Sequence, residues 1–197
     1  MTKTPLTADQ LRKDLLIETK LCTIPLKFKT TWGLFSPREI DAGTLLLLEH
    51  VKANPTDKVL DLGCGYGPLG ITLASQASQG EALLLDKDFV AVDYSNKNIE
   101  MNGLKNCKAI LSNGFSAVPD SQYDLIVSNL PAKVGNEMLY LYLYDAKRLL
   151  KPGGQLVVVT INGLRQFIKR SFNEVFGNYQ KVKQSTNYTV ARCEQAL

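Results

Sequence analysis

The sequence predicts an α/β domain with a mostly parallel sheet and helices on both faces. Two observations carry this. From residue 58 onward short apolar runs alternate with helical stretches, as in KVLDLG, ITLASQA, FVAVD, NKNIEMN, KAILS, YDLIVSN, EMLYLYLYDAKRLL and QLVVVT, the pattern of parallel strands joined by crossover helices. Three glycines at alternate positions, Gly63, Gly65 and Gly67, follow directly on the first of these strands and lead through Pro68 into a helix.

Before that core, residues 7–20 (TADQLRKDLLIETK) open with Thr7 and Gln10 in capping-box spacing and set Leu11, Leu15 and Leu16 on one face, which predicts a short amphipathic helix. The next stretch, IPLKFKTTWGLFSP, alternates apolar and polar residues around Leu26 and Phe28 and then breaks at Gly33 and Pro37, a strand or hairpin followed by a loop. Asp41 is placed to cap a helix from about Thr44 to Val51, ended by Asn54-Pro55. FVAV is read as a strand ending on Asp93, with Ser95 capping the helix after it. Residues 164–176 read as a helix, and NYQKVKQSTNYTVARCEQ as two strands that form a closing hairpin. There is no internal repeat and no low-complexity linker, so one domain is expected over 1–197, with an N-terminal extension at 1–40 and a core at 41–197.

At 197 residues, 45% of them hydrophobic and 21% charged, the chain suffices for one buried core. No apolar run approaches the ~20 residues that span a bilayer, and the N-terminus lacks the pattern of a secretory signal. A cytoplasmic protein with no membrane partner is the expectation. The four cysteines are scattered without a CxxC pair and His50 is the single histidine, so no metal site is expected and Ser-His or Cys-His catalysis is disfavoured. A formal net charge of +4 permits an anionic partner such as RNA without requiring one.

The glycine loop, VLDLGCGYGPLG, lets backbone approach a ligand closely while free N–H groups at the helix start attract anionic groups. A nucleotide-like ligand is implied. Gly65, Gly67 and Gly70 also satisfy the GxGxxG spacing of dinucleotide folds, with Asp86 about twenty residues on. Asp61, two residues before the first glycine, instead suits a ligand with a cationic amino group, as S-adenosylmethionine has. Cys64 within the loop serves through its small size. Of two acids able to bind ribose hydroxyls, Asp93 with the adjoining Tyr94 is preferred, and Asp86, in the charged run DKD, is read as a solvated loop residue. Asn113-Gly114-Phe115 after KAILS offers an amide to an adenine amino group and a ring to pack against it.

The chain resembles the class I S-adenosylmethionine-dependent methyltransferases, and within them the small methyltransferase domain family that includes ribosomal RNA guanine-N2 methyltransferases. The resemblance runs through LKFKTTWGLFSPREIDAGTLLLLEHV, DLGCGYGPLG, VDYSNKNIEMN, SNGFSAV, DLIVSNLPAKVGNE and LLKPGGQLVVV. It implies a Rossmann-like seven-stranded sheet with only the last strand antiparallel, S-adenosylmethionine as cofactor, and RNA, ribosomal in particular, as substrate. It also implies a catalytic strand end at Asn129, Leu130 and Pro131: the Asn129 side-chain oxygen and the Leu130 carbonyl accept the N–H bonds of a guanine amine, and Pro131 fixes the carbonyl's direction. Asn129 borders the cofactor as well. Ala132 stands where relatives often carry an aromatic, so stacking falls to Trp32 or Phe35. The longer guanine-N2 enzymes have an N-terminal domain that these residues do not include, which leaves RNA docking to the N-terminal segment and to Lys27, Lys29 and Lys133. Other acceptors, a protein glutamine or a small-molecule amine, a non-catalytic cofactor-binding module and a nicotinamide-dependent dehydrogenase are the alternatives.

Overall fold

The computed structural model describes residues 13–119, 121–131 and 134–196. Its seven-stranded sheet is built from β3 (Lys58–Leu62), β4 (Glu81–Asp86), β5 (Cys107–Leu111), β6 (Tyr123–Asn129), β7 (Leu150–Ile161), β8 (Gln180–Gln184) and β9 (Tyr188–Glu194), in the order β5-β4-β3-β6-β7-β9-β8. β9 runs antiparallel between β7 and β8, while β3, β4, β5, β6 and β7 pair in parallel. The sheet expected from the resemblance is therefore present, and the closing hairpin inserts its last strand inside the sheet edge.

Period-two alternation sorts the strand residues onto two cores. Val59, Leu84, Leu125, Val127, Val157 and Val159 face one side, together with α1 (Ala42–Leu48), α2 (Pro68–Gln76) and α3 (Phe89–Met101). Leu60, Leu83, Leu85, Ile126, Leu156 and Val158 face the other, under α4 (Asn136–Leu149) and α5 (Arg165–Phe176). The same parity turns Asp61 and Asn129 toward the first side, where α1 and α2 begin.

Two sequence expectations are corrected. Residues 15–20 are not helical: β1 (Leu15–Leu21) pairs with β2 (Ile24–Thr30) in an antiparallel hairpin whose register closes at Leu21↔Ile24. Cys22 and Thr23 have φ of 48° and 72°, the two positive values of a two-residue type I′ turn, which matches the twist of paired strands. Leu15 and Leu16 are both exposed, so these two leucines bury no common face; Leu11 lies outside the described residues. The helix start proposed at Thr7 lies outside the described residues.

FVAV, read as a strand, is the first turn of α3. Asp88 caps it by accepting from Val90 N at 2.8 Å, and Phe89 is 72% exposed, which no central strand would allow. The second core strand is the preceding EALLLD, paired with β3 at Asp61↔Leu84.

The hairpin is fastened to the core by two asparagines four residues apart, Asn98 on α3 and Asn102 at its C-cap. Asn98 accepts from Lys29 N (2.7 Å) and donates to Lys29 O (3.0 Å) and Tyr66 O (2.8 Å). Asn102 repeats the pairing on Lys27, at 3.0 and 2.8 Å. The outer edge of β2 thus meets side-chain amides in place of another strand. Because Asn98 is fully buried, Asn98→Ala is expected to lower the unfolding free energy by about 2 kcal/mol, checked by urea denaturation.

Candidate functional site

The order β5-β4-β3-β6-β7 reverses direction between β3 and β6, and open α/β sheets bind ligands at the carboxyl ends of strands at such a switch point. A cavity of about 460 Å³ lies there, walled by the glycine loop after β3, Asp86 at the end of β4, Ser112 after β5 and Asn129 at the end of β6.

Gly63, Gly65 and Gly67 all have positive φ, at 75°, 58° and 94°. A Cβ on Gly63 or Gly65 would meet no atom within 4 Å, so this stretch of backbone stands bare beside open space. The loop is tied from behind: Gly63 N and Cys64 N donate to Leu85 O at 2.8 and 2.9 Å, and Gly65 N donates to Asp86 Oδ2 at 2.9 Å. Cys64 is buried, its thiol pushed well up by that burial, so it is a packing residue with little thiolate character.

Asp61 is 1% exposed and accepts from Gly70 N at 2.8 Å. Burial pushes its carboxyl from the ordinary 3.8 up to about 7; the Gly70 bond opposes this and Asp86 adds to it. The folded chain therefore holds a proton that the unfolded chain has already released, so stability falls as pH rises from about 4 to about 7 and levels off above. Asp61→Asn, which keeps an oxygen for Gly70, is expected to flatten this slope in thermal melts of the ligand-free protein across that range. Among the described residues no basic side chain contributes to this shift, and a buried carboxylate that takes up charge at neutral pH in such surroundings fits a ligand with a cationic amino group.

Of the two acids weighed for the ribose, Asp86 lines the cavity and Asp93 does not. Asp86 Oδ1 accepts from Asp88 N at 2.9 Å, and with its other oxygen on Gly65 N the carboxylate is held rigidly in the wall. Asp93 lies on the exposed face of α3, paired with Lys97 at 2.6 Å, and Tyr94 is buried away from the cavity with its hydroxyl on the Asp14 carboxylate. Neither Asp93 nor Tyr94 lines the cavity, because FVAV is the first turn of α3 and not a strand that ends at the sheet's carboxyl edge.

Around β5, Ser112 and Gly114 line the cavity while Asn113 is exposed and turned out. Phe115 is buried beneath the wall, 6.2 Å edge-on to Tyr142, and it is Tyr142, from the LYLYLY stripe of α4, that reaches the cavity. A Cβ on Gly114 would stand 2.6 Å from the Tyr142 ring, so glycine admits it.

At the end of β6, Asn129, Leu130 and Pro131 line the cavity together. Asn129 Nδ2 donates to Asp41 Oδ2 at 2.8 Å and to Thr44 Oγ1 at 3.1 Å. Leu130 N continues the sheet to Val159 O at 3.0 Å, and among the described residues no donor reaches the Asn129 side-chain oxygen or the Leu130 carbonyl. Phe35 is 68% exposed and lines the cavity; Trp32, equally a surface residue, does not. Tyr66 donates from its hydroxyl to Ser36 O and Glu39 O, both at 3.2 Å, which ties the loop carrying Phe35 to the glycine loop. Lys27 and Lys29 are ion-paired with Glu18 and Asp14, and Lys133 lies outside the described residues. His50 bonds Leu46 O at the end of α1 and is not in the cavity wall. Among the described residues no cluster of metal-ligating side chains occurs and no helix is long and apolar enough to cross a membrane.

Sequence reasoning weighs Asp86 and sets it aside, misses Tyr142 and Tyr188 at the cavity, and sees Asp41 only as a helix cap. Asp86 was available as the acid ending a run of three leucines; the tyrosines carry no local signal, because tertiary packing alone brings them to the cavity.

The family model described as methyltransferase small domain matches residues 25–192. The chain is 30% identical over 172 residues to the Bacillus subtilis (strain 168) protein YbxB, covering 85% of each. It is 34% identical over 169 residues to ribosomal RNA small subunit methyltransferase C of Hamiltonella defensa subsp. Acyrthosiphon pisum (strain 5AT), covering 84% of this chain and 49% of that one. A 16S rRNA N2 guanine methyltransferase of T. thermophilus, solved with AdoMet and guanosine, superimposes with a TM-score of 0.82 at 28% identity, over 92% of this chain and 50% of that one. The chain thus spans about half the length of these ribosomal RNA methyltransferases.

Proposed function

The chain belongs to the methyltransferase small domain family, matched over residues 25–192, and from that premise we propose that it methylates the exocyclic N2 amine of a guanine in ribosomal RNA. Its cofactor is S-adenosylmethionine, which supplies a methyl group already activated on a sulfonium. The observation that carries the proposal is one cavity joining two kinds of site. Among the described residues, one part has a buried carboxylate without a basic partner beside bare glycine backbone, and the other has two oxygen acceptors at a strand end that no donor reaches.

The residues suit the cofactor. Asp61 would offer its carboxylate to the cationic amino group, Gly63 and Gly65 give backbone that a ligand can approach, Asp86 would meet ribose hydroxyls, and Ser112, Gly114 and Tyr142 would border the adenine. At the acceptor end, Asn129 Oδ1 and the Leu130 carbonyl take the two N–H bonds of the guanine amine. That localises a lone pair otherwise delocalised into the ring and stabilises the positive charge that develops as the nitrogen gains its methyl group. One proton then leaves to solvent. Most of the gain comes from positioning, so the lack of a histidine in the cavity wall is no obstacle.

Phe35 at the mouth supplies the stacking surface that Ala132 cannot. The target base must be unpaired or flipped to enter, and ribosomal RNA as acceptor would have the protein act in the cytoplasm. Ribosomal RNA from cells lacking the gene is expected to have lost one N2-methylguanosine by nucleoside analysis, restored by the wild-type gene and not by Asn129→Ala. An unchanged N2-methylguanosine content would count against the proposed acceptor.

A further inference from the structure

We infer that Asp41 is a positioning residue: its carboxylate holds the Asn129 amide in the one orientation that leaves Oδ1 free for the acceptor amine. The inference rests on the role proposed for Asn129. A primary amide can present either end to a ligand, and the two ends are nearly equal in shape but opposite in hydrogen-bonding sense. Asp41 removes that ambiguity. An ionised carboxylate only accepts, so the atom 2.8 Å from Asp41 Oδ2 must be Nδ2, and its second hydrogen goes to Thr44 Oγ1 at 3.1 Å. With both amide hydrogens spent inside the protein, the carbonyl oxygen is the free polar atom that Asn129 brings to the cavity. Donation to an anion also polarises the amide and makes that oxygen a stronger acceptor.

Asp41 is itself fixed from three directions. Its Oδ2 accepts from Gly43 N and Thr44 N at 2.8 and 3.2 Å as the cap of α1, and its Oδ1 accepts from the Tyr188 hydroxyl at 3.2 Å. Gly43 lets these groups meet: a Cβ there would stand 2.8 Å from Asp41 Oδ2 and 3.0 Å from the Tyr188 ring. A residue needed only to cap a seven-residue helix requires neither Tyr188 nor the bonds across to β6.

Serine separates the two roles, because it caps helices as well as aspartate does but its shorter side chain does not reach Asn129. Asp41→Ser is expected to keep the melting temperature and the S-adenosylmethionine affinity close to wild type and to lower kcat about 10- to 100-fold with KM for RNA little changed. Asp41→Asn, whose amide oxygen can take the donors now on Oδ2 while its NH2 donates to the Tyr188 oxygen, is expected to recover most of the rate. Independently of any acceptor, the Asn129 side-chain NH2 resonances should shift and exchange faster with water in Asp41→Ser than in wild type. Wild-type kcat in Asp41→Ser, or unchanged Asn129 NH2 resonances, would overturn the inference. If the protein methylates something other than a guanine, the resonance measurement still tests Asp41, so the two readings fail separately.

Discussion

Asn129→Ala is expected to lower kcat about 10²- to 10³-fold while leaving S-adenosylmethionine affinity and thermal stability close to wild type. The argument is one of placement. Asn129 ends β6 beside Leu130, with both amide hydrogens bound to Asp41 and Thr44, and among the described residues no donor reaches its oxygen, which is left for the proposed acceptor amine, whose charge grows only as the methyl group moves. A group of that kind acts on the transition state more than on either ground state, so kcat and not KM takes the loss. Alanine leaves Asp41 still capping α1 through Gly43 N and Thr44 N, which is why the fold should tolerate it. Single-turnover kinetics with calorimetric titration of the cofactor separates the two effects. A loss of cofactor affinity equal to the loss of rate would move Asn129 from the acceptor to the cofactor.

Asp86→Ala should weaken S-adenosylmethionine binding about 10- to 100-fold, whereas Asp93→Ala should leave it unchanged, both read by isothermal titration. The substitution removes two things: the carboxylate proposed to meet the ribose hydroxyls, and the Oδ2 that anchors Gly65 N, so the glycine loop slackens as well. Asp93 has only its exposed pair with Lys97 to lose, and such pairs contribute little. The comparison is sharp because the sequence alone favours Asp93, whereas Asp86 is the one that lines the cavity. A larger effect at Asp93 would mean that the cofactor lies along α3 and not across the ends of β3 and β4.

That reversal shows where the sequence is informative. The sheet, the glycine loop, Asp61 and the Asn129-Leu130-Pro131 strand end were legible because each needs particular residue types at close spacing along the chain. GEALLLDKDFVAVD was not. It offers two short apolar runs, each ending near an acid, and the choice between them is made by register with β3 and by the cap at Asp88, neither of which a window of residues contains. The N-terminal segment misled in the same way: Leu11, Leu15 and Leu16 fit a helical stripe, yet the positive φ at Cys22 and Thr23 closes a hairpin without the Asn-Gly or Asp-Gly signal that usually announces one. Asp41 was legible as a cap, while its bond to Asn129 joins residues 88 positions apart and had to be seen in space.

The central claim, methyl transfer to a guanine amine of ribosomal RNA, is tested most directly with the purified protein, radiolabelled S-adenosylmethionine, and ribosomal RNA presented both naked and in subunits. The expected result is label that survives digestion as N2-methylguanosine and disappears with Asn129→Ala. Label found only in protein or small molecules, or in another nucleoside and unaffected by Asn129→Ala, would contradict it.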